Sequence, residues 1–422
     1  MFYWNRMTGR DAMLRRLGAA GRNERRLISR AFAVSLWPWM TVLLATQLGM
    51  AQEAIPASSP ITITQPQEYQ VVQRESRLQG WVLVAGSLHW ADAAARPDRV
   101  EVRLIGKPAA EELWEAWQTV ELDAMAASFH DELIVPAGGW YRVEVRLSQR
   151  GQWKATNVVE HVGVGEVFVI AGQSNSANYG EEKNQTITGL VSAFDGHGWQ
   201  LAADPEPGAG GKKGSFLPIF GDAIASQFHV PVGLVPMGIG STSVREWLPA
   251  GIIFTNPPST GRNVVSVGPG QWESTGRIFT NFCTRMKLLG PRGFRAVLWH
   301  QGESDGRQAK AECSLSGGLY HEFLGRVIQD SRREIGWAAP WFVAQVSYHN
   351  PSEPVWPETR AAQKALWDEG VALEGPDTDT LTGAMREKNG QGIHLSAEGL
   401  QKHGRMWADK VGPWLEMQAG QP

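Results

Sequence analysis

A serine at the end of an apolar run is the sharpest chemical signal in this sequence. Residues 167–180 read VFVIAGQSNSANYG, and polar Gln173 and Ser174 follow directly after Gly172. If a helix begins there, the Ser174 hydroxyl lies at the carboxyl edge of a sheet, beside open backbone N–H groups. A serine so placed can attack a carbonyl carbon when a base takes its proton and an oxyanion hole receives the charge. The alternative is a serine that serves only as a helix N-cap.

Three later segments bring polar groups to the same edge. They read VPMGIGSTSVREW (235–247), AVLWHQGESDG (296–306) and GIHLSAEGLQKHGRMWADKV (392–411). The first two continue from apolar runs typical of buried parallel strands, and such strands end at one edge of their sheet. His394 precedes a helix predicted to begin near Ser396, so its imidazole can reach that edge as a general base.

Four of these blocks, in order, resemble a known family. GQSN, the GST of GIGSTSVREW, WHQGESD and the late IHLS are similar to the motif blocks of SGNH/GDSL-type hydrolases, in their sialate O-acetylesterase and acetylxylan esterase branch. The resemblance covers roughly residues 163–416, and four ordered blocks are far more specific than any single motif. It implies a flavodoxin-like three-layer α/β/α fold and serine esterase chemistry, which needs neither a metal nor a cofactor.

The resemblance also implies roles for particular residues. Ser174 matches the nucleophile, and its own N–H is expected to serve the oxyanion hole. Gly240 matches the glycine that gives a second backbone donor, and Gln301 stands where this branch carries an amide side chain. His394 matches the base.

The acidic partner of the base is left open. The family usually carries an Asp two or three residues before the His, and this chain has Gly392 and Gln391 there. Such an acid fixes the imidazole tautomer and stabilises the imidazolium. Either the site is a Ser–His dyad, or an acid comes from elsewhere, with Asp377, Asp379 and Glu303 as candidates. Glu303 is alternatively a buried carboxylate bonded to loop N–H groups.

Alternating strands and helices must position these residues. Near-continuous apolar runs beyond Val162 predict strands buried on both faces, and apolar residues spaced by three and four predict helices between them, as in a parallel α/β sheet. Residues 186–215 and 249–275 are rich in Gly and polar residues and are predicted to be loops. The predicted strands are 166–172, 232–238, 294–301 and 340–347, and the predicted helices are 217–228, 276–289, 318–335, 358–369 and 396–416.

The preceding hundred residues have a different pattern. Seven short runs alternate apolar and polar residues, with a helix-like stretch at 109–117, and this predicts a small antiparallel β-sandwich. The expected domains are a signal peptide (1–51), a linker (52–60), a β-sandwich accessory domain (61–162) and an SGNH-type esterase domain (163–418). The seven runs are 61–64, 69–73, 81–86, 99–105, 119–122, 131–136 and 140–147.

The N-terminus has the design of an export signal. Residues 1–30 carry eight Arg against Asp11 and Glu24, and residues 31–51 carry no charge. A basic leader, an apolar middle and a small-residue exit predict cleavage after Ala51 and a periplasmic or extracellular protein. An uncleaved membrane anchor is the alternative, since an uncharged stretch of this length can span a bilayer.

Net charge and composition limit the classes of molecule that this protein is expected to bind. The net charge of −3 over 422 residues divides into +6 for residues 1–30 and −9 for the remainder. The remainder therefore lacks a basic stripe for phosphates, which argues against nucleic acid. Nineteen Trp offer flat faces on which sugars stack. Cys283 and Cys313 either form a disulfide or stay as two buried thiols.

These observations together predict an exported carbohydrate O-acetylesterase. His394 takes the proton as Ser174 attacks the acetyl carbonyl, and the oxyanion rests on the Ser174 and Gly240 N–H groups and the Gln301 amide. Acetylated polysaccharide and acetylated sialic acid are both open as substrates, and so is the oligomeric state. The alternatives are a lipase- or thioesterase-type hydrolase with an apolar cleft, and a catalytically dead glycan-binding protein.

Overall fold

The computed structural model describes residues 59–90, 96–106 and 117–419. The predicted signal peptide, residues 52–58 of the predicted linker and residues 109–116 of the helix-like stretch lie outside the described residues. Within the described ranges, no helix is both long enough and apolar enough to cross a membrane.

Eight strands make up the N-terminal part, and all seven predicted runs are strands. In most of these strands alternate residues are buried, such as Val100, Val102 and Leu104 of the fourth strand, and they form one hydrophobic cluster. The period of two places one face of each strand against this cluster. The strands are β1 (Ile61–Gln65), β2 (Gln70–Gln73), β3 (Gln79–Leu88), β4 (Arg99–Ile105), β5 (Gln118–Asp123), β6 (Ser128–Pro136), β7 (Gly138–Gln149) and β8 (Gln152–Gly172).

Strand β8 belongs to both halves of the structure. Its first part pairs antiparallel with β7, and its last residues lie between two parallel strands of the C-terminal half. The sheet is therefore continuous, in the order β1-β3-β6-β5-β4-β7-β8 through the N-terminal half. The predicted boundary between residues 162 and 163 lies inside this one strand, and the division into two domains stays a prediction.

The C-terminal half is a mixed α/β structure whose central strands are parallel. Val167, Val169 and Ala171 of β8 face one hydrophobic cluster, and Phe168 and Ile170 face the other. A strand buried on both faces explains the near-continuous apolar sequence. From β8 the sheet continues on one side through β11 (Val232–Pro236), β9 (Val191–Phe194) and β10 (Trp199–Leu201), and on the other through β15 (Ala296–His300), β16 (Trp341–Gln345) and β17 (Leu373–Asp377).

Helices cover both faces of this sheet. Three contribute to the cluster that contains Val167, and two contribute to the cluster that contains Phe168. All five predicted helices are confirmed, with small differences at their ends. The first three are α2 (Arg277–Lys287), α3 (Gly317–Ile335) and α4 (Pro357–Asp368), and the other two are α1 (Leu217–Phe228) and α6 (Ala397–Ala419).

The structure differs from prediction in the two segments expected to be loops. Residues 186–215 contain β9 and β10, and residues 249–275 contain a separate antiparallel sheet of β12 (Ile253–Phe254), β13 (Val264–Gly268) and β14 (Gln271–Ser274). Strands of two to five residues are too short for a hydrophobic period to stand out. β17 is not predicted by the sequence either, because its residues LEGPD include Gly and Pro, which are uncommon inside strands. Both residues are tolerated here because the strand lies at the edge of the sheet.

Both cysteines are buried and free, so the chain has two thiols rather than a bridge. Burial raises the pKa of the Cys283 thiol to about 12.

A buried ion cluster joins three segments where β8 enters the C-terminal half. Glu166 is 1% exposed and accepts from Arg74 Nε and Arg295 Nε, each at 2.7 Å. Gln73 Nε2 also donates to this carboxylate, at 3.0 Å. Burial of the charge is tolerated because every near neighbour donates to it.

We expect Glu166→Gln to lower the free energy of unfolding by about 3 kcal/mol, because buried Arg74 and half-buried Arg295 lose their counter-charge. Glu160→Gln, an exposed position on the same strand, should leave it nearly unchanged. Urea unfolding followed by Trp fluorescence measures both. Equal stability of the two variants would contradict the role given to Glu166.

Candidate active site

Ser174 lies on a sharp turn at the carboxyl end of β8. Gly172 has a φ of 128°, and a Cβ there would overlap the carbonyl of His300, so only glycine fits. The Gln173 N–H donates to the His300 carbonyl oxygen at 3.0 Å, and a single 3₁₀ turn, Ser174–Ser176, follows. This turn replaces the helix predicted to begin at Ser174. The serine is therefore held at the strand end by the backbone.

The Ser174 side chain lines a cavity of about 210 Å³ at this edge of the sheet. Its walls come from the turn after β8, the loops after β11, β15 and β16, and the inserted small sheet. Most of the lining groups are hydroxyls and amides rather than apolar side chains. The lining residues are Gln173, Ser174, Ser241, Ser243, Pro258, Ser259, Thr260, Glu303, Ser304, Gln308, Tyr348, His349 and Ile393.

His394 is paired with a carboxylate that the sequence analysis missed. His394 Nδ1 lies 2.9 Å from Glu387 Oε1, and the Glu387 side chain is only 7% exposed. The Glu387 N–H also donates to the His394 carbonyl at 2.9 Å, which closes the loop between them. A Cβ on Gly392 would overlap the Glu387 side chain. The family's usual acid position is thus occupied by a glycine that leaves room for Glu387.

None of the three acids proposed from the sequence contacts His394. Asp377 forms a bidentate pair with Arg360, with both N–O distances at 2.7 Å. Asp379 accepts from the Ser347 N–H and hydroxyl, each at 2.7 Å, and Glu303 accepts from Asn175 Nδ2 at 3.1 Å. The contact between His394 and Glu387 favours a triad over a dyad without an acid.

One sequence signal could have found Glu387. It is the only carboxylate between Asp379 and His394. It lies seven residues before the histidine, outside the spacing of two or three residues that the family resemblance implies. Lys388 and Asn389 adopt φ of 56° and turn the chain back within the short α5 (Glu387–Gly390), and local sequence does not reveal this.

Hydrogen bonds tie the serine turn to the histidine loop. Asn175 Nδ2 donates to Glu303 Oε1 and also to the Ile393 carbonyl at 3.2 Å. Arg386, 3% exposed, donates to the same Ile393 carbonyl at 2.8 Å and to the Thr378 carbonyl at 3.2 Å. The nucleophile's turn and the residue before His394 are therefore neighbours in space.

The electrostatic surroundings keep His394 neutral. Burial lowers the pKa of His394 most, while Glu387 raises it through its charge and its hydrogen bond. The cations Lys213 and Arg386 lower it further. A neutral imidazole bonded through Nδ1 to a carboxylate carries its proton there and leaves Nε2 free to accept one.

Two backbone N–H groups singled out in the sequence are without a hydrogen-bond acceptor among the described residues. In the part of the chain that the structure describes, neither the Ser174 N–H nor the Gly240 N–H donates a hydrogen bond. A Cβ on Gly240 would overlap the Tyr179 ring and hydroxyl, so a larger residue would displace that side chain. Open N–H groups at a strand end are the donors that an oxyanion hole requires.

Gln301 is hydrogen-bonded to groups beside the serine turn. It is fully buried, it is not among the cavity-lining residues, and its Nε2 donates to Asp305 Oδ2 at 2.5 Å and to the Thr242 carbonyl at 3.1 Å. Its amide also lies 3.3 Å from Gln173 Oε1. The Gln301 amide thus links Gln173, the residue before the serine, to the buried Asp305 carboxylate. Its role as an oxyanion donor stays a prediction.

Comparison with known families identifies the chain. The sequence model of the carbohydrate esterases described as sialic acid-specific acetylesterase matches residues 164–412, more than half of the chain. The chain belongs to this family of carbohydrate esterases. The esterase is therefore a carboxylic ester hydrolase that acts on carbohydrates. The matched range contains Ser174, Gly240, Glu387 and His394. No curated protein matches the esterase.

Solved structures similar to the esterase are distant. A carbohydrate acetylesterase from Xanthomonas citri is 18% identical, with 82% of this chain and 74% of that chain covered and a TM-score of 0.47. An Arabidopsis thaliana protein is 19% identical, with 58% and 96% covered and a TM-score of 0.41. A Corynascus thermopiles family 2 carbohydrate esterase with its carbohydrate binding domain is 13% identical, with 75% and 88% covered and a TM-score of 0.36.

We expect Glu387→Gln to lower kcat about a thousandfold, because the imidazole loses the carboxylate that orients it and stabilises its charged form. Asp377→Asn serves as the control, since Asp377 bonds Arg360 and not His394. Steady-state kinetics on an acetyl ester compare the two. A large loss in the Asp377 variant with little in the Glu387 variant would overturn the assignment.

The acid limb of the pH profile gives an independent check. His394 acts as a base only when neutral, so kcat/KM should fall at a pH below the ordinary pKa of imidazole. Because Glu387 raises the pKa of His394, Glu387→Gln should move the limb of the residual activity to lower pH. Profiles of kcat/KM from pH 4 to 9 measure this. A limb that stays in place or moves upward contradicts it.

Proposed function

We propose that the esterase is an exported enzyme that removes O-acetyl groups from carbohydrates through an acetyl-serine intermediate. The observation that carries this proposal is the pairing of His394 Nδ1 with Glu387, on a loop that Asn175 bonds to the turn of the cavity-lining Ser174. The export signal predicted over residues 1–51 supports the location, and the family supports the carbohydrate.

In the first step Ser174 attacks the acetyl carbonyl carbon. His394 Nε2 takes the hydroxyl proton as the bond forms, and Glu387 stabilises the resulting imidazolium. The carbonyl oxygen becomes an oxyanion that accepts from the Ser174 and Gly240 N–H groups. The tetrahedral intermediate then collapses, the C–O bond to the sugar breaks, and the imidazolium gives its proton to the departing sugar oxygen.

In the second step water takes the place of the sugar. His394 removes a proton from the water as its oxygen attacks the acetyl-serine carbonyl, and the same two N–H groups receive the oxyanion. Collapse of this intermediate releases acetic acid, and the proton held by His394 returns to the Ser174 oxygen. The residues finish in the state in which they began.

The cavity favours a short acyl group on a polar alcohol. Its lining includes six Ser and Thr residues and two Gln, with Pro258 and Ile393 as its aliphatic members. A lipase or thioesterase needs a channel long enough for an extended acyl chain, and a cavity of about 210 Å³ is small for one. The alternative of a catalytically dead glycan-binding protein depended on the lack of an acid beside His394. The Glu387 carboxylate lies 2.9 Å from His394 Nδ1 and argues against that alternative.

We expect Ser174→Ala to reduce acetate release from acetylated xylan and from p-nitrophenyl acetate by at least about a thousandfold. Ser128→Ala, on β6 far along the sheet, is the matched control and should keep full activity. Released acetate is measured for the whole chain and both variants. Equal activity of the Ser174 variant and the unchanged chain would refute the acetyl-serine mechanism.

A further inference from the structure

Two polar atoms in the cavity wall are buried without a partner. Glu303 Oε2 and Tyr348 Oη make no hydrogen bond to any residue that the structure describes. Both side chains line the cavity that contains Ser174, and Glu303 and Tyr348 are 9% and 1% exposed. Of the side chains in this lining, only these two have such an atom. A buried polar group left unpaired costs stability unless a bound molecule pairs with it.

Both side chains are held in place by contacts on their other sides. The second oxygen of Glu303 accepts from Asn175 Nδ2, which fixes the carboxyl beside the serine turn. The Tyr348 ring lies 3.7 Å from the guanidinium carbon of buried Arg386, and the Tyr348 N–H donates to Asp379 at 2.8 Å. The unpaired oxygens therefore belong to side chains that other bonds already orient.

We propose that the Glu303 carboxyl and the Tyr348 hydroxyl bind hydroxyl groups of a neutral sugar, next to the acetylated position. This inference rests on the proposed function and specifies its substrate. A sugar hydroxyl is both a donor and an acceptor, so it can donate to the Glu303 carboxylate or accept from the Tyr348 hydroxyl. A site that pairs its buried polar groups in this way discriminates strongly against esters without the hydroxyl.

The charges around the cavity favour a neutral sugar over a sialic acid. Among the described residues that line the cavity there is no Lys or Arg, and Glu303 is the acidic one. A sugar carboxylate bound there would lie near an acid without a lining cation, which is unfavourable in a buried site. Burial raises the pKa of Glu303 to about 7. As the pH rises through that value, more of Glu303 is ionised, and its repulsion of a sugar carboxylate increases.

The test is a ratio of two activities of one protein. Glu303→Gln and Tyr348→Phe are each assayed on an acetylated xylo-oligosaccharide and on p-nitrophenyl acetate, which has no sugar hydroxyl. We expect the ratio of the two kcat/KM values to fall about tenfold in each variant, since one hydrogen bond in the substrate complex is lost. Glu312→Gln, exposed in a short 3₁₀ turn, and Tyr69→Phe, in the turn before β2, are the matched controls.

Because both substrates are assayed on the same preparation, partial unfolding of a variant lowers both activities and cancels in the ratio. A fall of fivefold or more in both variants, with unchanged controls, supports the subsite, and any smaller change overturns it. The unchanged enzyme should also prefer the acetylated xylo-oligosaccharide to 9-O-acetylated sialic acid, and the reverse preference overturns the neutral-sugar assignment. Failure of the proposed function looks different, because the unchanged enzyme would then release no acetate from any of these esters.

Discussion

The parallel pairing of β8 with β11 and β15 is the constraint on which the rest of the structure depends. β8 is buried on both faces, and its register sets Gly172 opposite His300 at the end of β15. The loops that follow all three strands therefore open at one edge of the sheet. Ser174 lies two residues beyond this pairing, and its position is fixed by the hydrophobic layers beneath the sheet rather than by bonds of its own side chain.

Buried polar groups hold the loops at that edge, where regular structure ends. Asp305 is fully buried and accepts from the Ser243 hydroxyl and the Val244 N–H of the loop after β11, and from Gln301 of its own loop. Arg386 holds the loop that contains His394 in a similar way, because its guanidinium donates to the backbone carbonyls of Ile393 and Thr378. Groups of this kind are stable in the interior only when they are fully bonded, so each fixes the geometry of its neighbours. Such a preorganised edge is what transition-state stabilisation requires.

The pairing of Glu387 with His394 illustrates that the acid proposed for this site is defined by its place in space and not by its sequence spacing. The carboxylate must reach imidazole Nδ1, and any chain path that achieves this is sufficient. Here a tight turn at Lys388 and Asn389 brings back a residue seven positions upstream, and Gly392 leaves the room that its side chain fills. This compact loop also buries His394, and burial lowers the pKa of its imidazole, which favours the neutral form.

The sequence by itself determined the long strands and helices of the C-terminal half. Strands buried on both faces are continuous apolar runs, and helices buried on one face have apolar residues spaced by three and four. It also placed Ser174, Gly240 and His394 at strand ends and loops, since their motif blocks are local. Only the tertiary structure decided that Glu387 partners His394, that Gln301 braces Gln173 beneath the cavity, and that Glu303 and Tyr348 share its wall. These are contacts between segments distant in sequence or turned back by backbone angles, and they depend on side-chain room and hydrogen-bond competition that no local pattern records.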